Sequence, residues 1–151
     1  MGSRGKESNC PELHLVLWFC MAASARGSIR VFKSAWFSRA ARKARIIDRD
    51  LWEAIQQVML GQADDLGGGV FKKRLNRNMH RGIILARGRR FWVYEYMFAK
   101  KDRDNIDDDE LAAFRRLAKV YETLTDGQVA QLLDNGDFEE IGDGGEARVQ
   151  E

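Results

Sequence analysis

Lys72, Lys73, Arg74, Arg77, Arg81, Lys100, Lys101 and Arg103 crowd one stretch of the chain, with His80 in its middle and Tyr94 and Tyr96 near its end. Cations at this density hold polyanions and stabilise negative charge that develops during a reaction. Histidine is the side chain whose ordinary titration spans neutrality, so His80 is a candidate proton carrier, although a histidine opening a strand is often only a surface residue. Tyrosines stack on bases or hold protons, and equally often fill a core. Simple alternation puts Tyr94 and Tyr96 on one strand face, and Tyr96, nearer the strand end, is the better candidate of the two. Arg81 and Lys100 each have a plainer reading as well: a solvated strand-end charge and an edge charge that discourages aggregation.

The charge is unevenly spread. Residues 70–103 carry 11 Lys/Arg against 2 Asp/Glu, a net of +9, whereas residues 104–151 net −10 and the whole chain only +2. A basic block inside a globular sequence is an electrostatic footprint for a polyanion, and nucleic acid is the commonest such partner. Other chemistries fit less well. Gly67-Gly68-Gly69 lacks the following Lys-Ser/Thr and helix start of a nucleotide loop, and is read as freedom at a strand entry. Asp107-Asp108-Asp109-Glu110 suggests Mg²⁺, but carboxylates on a first helical turn already meet the positive end of the helix dipole. Cys10 and Cys20 form no ligand-spaced cluster, so no metal, cofactor or disulfide framework is expected, and the cytoplasm is the expected compartment.

The elements that must carry these residues follow from periodicity. At 151 residues, one domain with one core is expected. Ile29 to Lys33 reads as a strand. Trp36, Phe37, Ala40, Ala41, Ala44 and Ile47 recur at helical spacing, and Asp48 and Asp50 are placed to cap a second helix with Leu51, Ile55, Val58 and Met59 inward. Val70 to Asn76, His80 to Arg87 and Arg90 to Lys101 read as three successive strands. On the first of these, Phe71, Lys73 and Leu75 share the core side, leaving Lys72 and Arg74 opposite. Asp107 and Glu110 form one capping box and Thr125 and Gln128 another, each opening a helix. Phe138 to Ile141 is a short edge strand. The expected architecture is therefore α+β, a small antiparallel sheet with N-terminal and C-terminal helices on one face.

The ends read differently. Residues 1–28 hold a short apolar run, Leu15 to Ala23, before Ala23-Ser24-Ala25, which has the look of a signal-peptidase site; the alternative is a start assigned too far upstream, with Met21 as a later one. That segment is expected to be a disordered extension outside the domain at 29–141, and 142–151 a disordered tail.

Five pieces in order carry a resemblance: Arg30-Val31-Phe32-Lys33; Gly67-Gly68-Gly69-Val70-Phe71-Lys72-Lys73-Arg74; His80-Arg81-Gly82-Ile83-Ile84-Leu85-Ala86; Tyr94 to Ile106 with its Ala99-Lys100-Lys101; and Leu111-Ala112-Ala113-Phe114. Together they resemble the RelE/ParE toxin superfamily, and within it the HigB-like, phage-derived RelE-type branch. The resemblance implies the toxin of a type II toxin–antitoxin system. It would be a metal-independent endoribonuclease that cuts messenger RNA, usually on the ribosome, and is masked by a cognate antitoxin. Arg81, Lys100 and Lys73 stand where the family has its cations; with His80 or Tyr96, suggested by their chemistry, to handle a proton they form the expected catalytic set, and Lys72, Arg74, Arg77, Lys101 and Arg103 of the basic block are expected to bind RNA. The same fold in the ParE branch inhibits DNA gyrase without cutting RNA, and a non-catalytic RNA-binding protein is a further alternative.

Overall fold

The computed structural model describes residues 29–88 and 91–142. The expected extension over 1–28, and the expected tail except Gly142, lie outside the described residues. Chain order is β1 (Arg30–Ser34), α1 (Ala35–Ala44), α2 (Asp48–Met59), β2 (Asp64–Gly67), β3 (Val70–Leu75), β4 (His80–Arg87), β5 (Phe91–Ala99), α3 (Asp108–Glu122), α4 (Asp126–Asn135) and β6 (Phe138–Ile141). The α+β class holds. The six strands form one sheet in the order β2-β3-β4-β5-β1-β6.

That sheet is mixed, not antiparallel as alternation suggested. β1 pairs with β5 in parallel, Val31 opposite Trp92 and Lys33 opposite Tyr94, while the other pairings are antiparallel. Periodicity tells which face a residue takes and says nothing about which distant strand lies beside it.

The helices cover both faces instead of one. Val31, Ile84, Ala86, Trp92 and Tyr94 pack with Phe37 of α1 and Leu51, Ile55 and Val58 of α2. On the other side Val70, Ile83, Leu85 and Phe98 meet α3 through Ala118, Leu111 and Phe114, and Phe32, Phe91 and Val93 meet α4 through Val129 and Leu132. Strands buried on both faces read as continuous apolar runs. Ile83 to Ala86 and Phe91 to Tyr94 are such runs, every residue buried.

Both capping boxes form, Asp107 with Glu110 and Thr125 with Gln128. The expected cap on α2 does not: Ile47 occupies that position without a side-chain bond, and Asp48 instead holds Lys33 at 2.6 Å. α1 also stops early, because Arg45 turns left-handed at φ 62° and places Ile47 outside the helix. The glycine run makes the turn between β2 and β3, where Gly68 at φ +65° passes so close to α3 that a Cβ would lie 2.8 Å from Arg115 Cγ.

A bulge in β5 fixes the phase of everything beyond it. Ile84 faces Tyr94 and Ile83 faces Tyr96, leaving Glu95 extra. Tyr94 therefore lies wholly buried with α1 and α2, its hydroxyl donating to Leu51 O at 2.6 Å, while Tyr96 packs with the α3 cluster. The two tyrosines do not share a face; alternation fails at the inserted residue. Ser34, the N-cap of α1, donates to the Glu95 carbonyl at 3.2 Å and so ties the bulge to the point where β1 becomes helix.

Candidate nucleic-acid interface and active site

The basic residues gather at one end of the sheet. β3 ends there, β4 begins and β5 ends: Leu75 faces His80, and His80 faces Ala99. The β3–β4 connection, Asn76 to Met79, turns through three left-handed residues, Asn76, Arg77 and Asn78, at φ 54°, 55° and 72°. Asparagine tolerates that region, whereas arginine does so at a cost of about 1 kcal/mol or more. The backbone of Lys100 donates to Met79 O at 2.9 Å, which holds this turn against the exit of β5.

β1 pairs no further along β5 than Tyr94, and β5 runs on to Ala99. Where a neighbouring strand would lie, a cleft opens between α1 and the segment after β5. Two adjoining hollows of about 640 and 620 Å³ make it up. Both are lined by Lys43, Ala44, His80, Ala99 and Lys101; the first adds Arg77, Met79 and Lys100, the second Trp36, Tyr96 and Arg103. Asn76 Nδ2 lies 3.1 Å from Nδ1 of the cleft residue His80, a contact that orients the imidazole.

The remaining cations divide by strand face. Arg81 stands directly opposite Arg74 across the β3–β4 ladder and opposite Phe98 on β5, on the α3 side. Its Nη1 donates to Asn78 O at 3.0 Å and His80 O at 3.2 Å. Lys73 lies on the other side with Phe71 and Leu75, as alternation indicates, and donates to Gln62 O at 3.0 Å. Partial burial, and secondly the Arg74 charge, hold its ammonium below the ordinary lysine range. Lys72 reaches Asn105 Oδ1 and Asp64. Arg103 forks onto Glu110 at 2.5 and 3.1 Å and touches the Tyr96 hydroxyl at 3.3 Å. These bonds raise Arg103 and, together with the Asp107 backbone, lower Glu110.

His80, Arg77, Lys100 and Lys101 thus share a cleft with Tyr96 and Arg103 at its second hollow. Arg81 and Arg74 sit on the sheet face behind it, and Lys72 and Lys73 turn to partners of their own. Lys43, Trp36, Asn76 and Met79 belong to the site and escape sequence reasoning. Lys43 and Trp36 look like ordinary positions of an amphipathic helix. Only the fold shows that both line the cleft. Among the described residues, Lys43, Arg74, Arg77, Arg81, Lys100 and Lys101 have no ion pair.

Residues 29–141, which hold this mixed sheet and its cation-rich cleft, match the model of a toxin from a toxin–antitoxin system. That model is described as the RelE toxin of the RelE / RelB toxin-antitoxin system, and the chain belongs to this family. Its role is that of the toxin, and the family implies a cognate antitoxin as partner. Comparison with curated proteins and with solved structures gives no match. No helix among the described residues is long and apolar enough to cross a membrane.

Proposed function

We propose that this toxin, of the HigB-like branch, cuts messenger RNA on the ribosome and is silenced when its antitoxin masks the basic end of the sheet. One observation carries the reading: arginines face each other at Arg74 and Arg81 with no carboxylate paired to either, on the sheet face behind a cleft whose lysines are unpaired among the described residues. Like charges directly opposite in a ladder destabilise it. A phosphate chain relieves that repulsion.

The reaction assigned to the site needs no group from outside the chain. The ribose 2′-oxygen attacks the adjacent phosphorus, the bond to the 5′ oxygen breaks, and a 2′,3′-cyclic phosphate and a 5′-hydroxyl result. Arg81 and Lys100 stabilise the charge added to the non-bridging oxygens. In its imidazolium form His80 can give its Nε2 proton to the leaving oxygen, the Asn76 amide oxygen then facing Nδ1, and the 2′-hydroxyl proton passes to water. Lys73 is diagonal to His80 across the ladder and raises the local field; the Tyr96 hydroxyl is the second group able to handle a proton. Lys72, Arg74, Arg77, Lys101 and Arg103 hold the strand on either side.

Induced expression with mapping of RNA 5′ ends tests the proposal. New 5′-hydroxyl ends in coding regions are expected with the unaltered chain, and their loss with Arg81→Ala or Lys100→Ala while the fold persists. Growth arrest with intact messenger RNA and altered DNA supercoiling would replace the ribonuclease by a gyrase inhibitor.

A further inference from the structure

One wall of the cleft takes no part in the phosphate chemistry above. Trp36, Ala40, Lys43 and Ala44 recur at helical spacing and form a stripe of α1 that lines the cleft, separate from the stripe of Phe37, Ser38 and Ala41 buried under the helix. Trp36 is 45% exposed, a large apolar ring left open at the mouth of a charged groove. Its ring lies 4.9 Å from that of Tyr96, centroid to centroid, with 30° between the planes. Tyr96 in turn rests on Phe114 of α3 at 5.9 Å, so the pair is braced from the opposite side of the sheet. Ala40 and Ala44 leave room along the helix. Lys43, at the far end of the same stripe, faces the groove with Lys101 across it and no ion pair among the described residues.

A flat π surface beside unpaired ammonium groups suits a planar, uncharged group carried on an anionic chain. An unpaired nucleobase flanked by phosphates meets both demands: the base stacks, the lysines take the phosphates. We propose that Trp36 is the stacking platform for one unpaired base of the bound RNA, making α1 the base-recognising wall of the site and Trp36 a determinant of where the strand is held. The assignment rests on the RNA reading and adds to it a place for one base.

The test uses the full chain and short single-stranded 2′-O-methyl RNA, which lacks the attacking hydroxyl and stays intact. A parallel set carries one abasic nucleotide at each position in turn. Trp36→Leu is expected to weaken binding of the intact strand about tenfold, the scale of one lost stacking contact. At one abasic position, and no other, wild type and variant should bind equally. Trp36→Phe, which keeps a ring, should recover most of the affinity, and a half-exposed side chain at a helix start leaves the urea midpoint close to wild type. Arg74→Thr serves as the reference, weakening intact and abasic strands alike. Equal affinity of wild type and Trp36→Leu for every strand, with the Arg74 variant still weakened, would overturn the stacking role and leave the RNA site standing. Indifference of all variants would remove the RNA site as well. Unchanged RNA affinity with loss of the co-expressed antitoxin would assign the groove to a protein segment, and the proposal would fail.

Discussion

Replacing Arg74 with threonine separates the electrostatic strain of the site from its binding. Arg74 and Arg81 are direct partners across an antiparallel ladder, and no carboxylate pairs with either among the described residues. Two unit charges about 6 Å apart in a water-like dielectric repel by about 0.7 kcal/mol. At 0.1 M salt, with a screening length of about 10 Å, about 0.4 kcal/mol remains, within the range of measured cross-strand pairs. Threonine is readily accepted in a strand, so the strand itself is kept. The variant should therefore melt about 2 °C higher than wild type at low salt, the shift expected for a domain of this size. In 1 M salt the gain should fall to about 0.1 kcal/mol, below detection. Binding should move the other way. One phosphate contact fewer lowers the slope of log affinity against log salt by about 0.7 for a single strand. Melting curves at three salt concentrations, with RNA titrations over the same range, measure both. A variant that melts lower, or whose gain survives 1 M salt, would refute the charge argument; an unchanged salt slope would remove Arg74 from the RNA surface.

Other outcomes follow from single contacts. Arg81→Ala should reduce cleavage far more than RNA affinity, because a contact made in the transition state acts chiefly on the chemical step; single-turnover rates set against binding constants decide it. Tyr94→Phe removes a buried hydrogen bond to Leu51 O and should lower stability by about 1–2 kcal/mol in urea unfolding, with RNA affinity unchanged. The Glu95 carboxyl is raised above its ordinary 4.5 by burial, partly offset by the bond from Tyr121. The folded state thus holds that proton more tightly than the unfolded chain. Its stabilising contribution is complete below the ordinary carboxyl range and is lost as pH rises through the raised folded value. Glu95→Gln should accordingly unfold at higher urea than wild type at pH 8, the gap closing towards pH 4. A constant gap would show that the charge is not the cause.

Much of this molecule follows from the order of its residues. Asp107 with Glu110 and Thr125 with Gln128 form their caps because a capping box is a contact across three residues, available as soon as the helix starts. Phe71, Lys73 and Leu75 fall on one face because nothing interrupts the alternation of β3. The basic block is equally a property of the sequence. Tertiary structure decided the rest. The parallel partner of β1 is a strand some sixty residues away, selected by packing on both faces and not by any local pattern. The inserted Glu95 parts Tyr94 from Tyr96, and its place is set by the neighbour strand and by Ser34. Most of all, charge is neutralised by contact in space. Lys33 finds Asp48, Lys72 finds Asp64 and Arg103 finds Glu110, whereas Lys43 from a distant helix joins Lys100 and Lys101 at the cleft, none of the three in an ion pair among the described residues. A chain lists its cations in order; the fold decides which of them stay unpaired, because pairing depends on a few ångströms that the sequence does not encode locally.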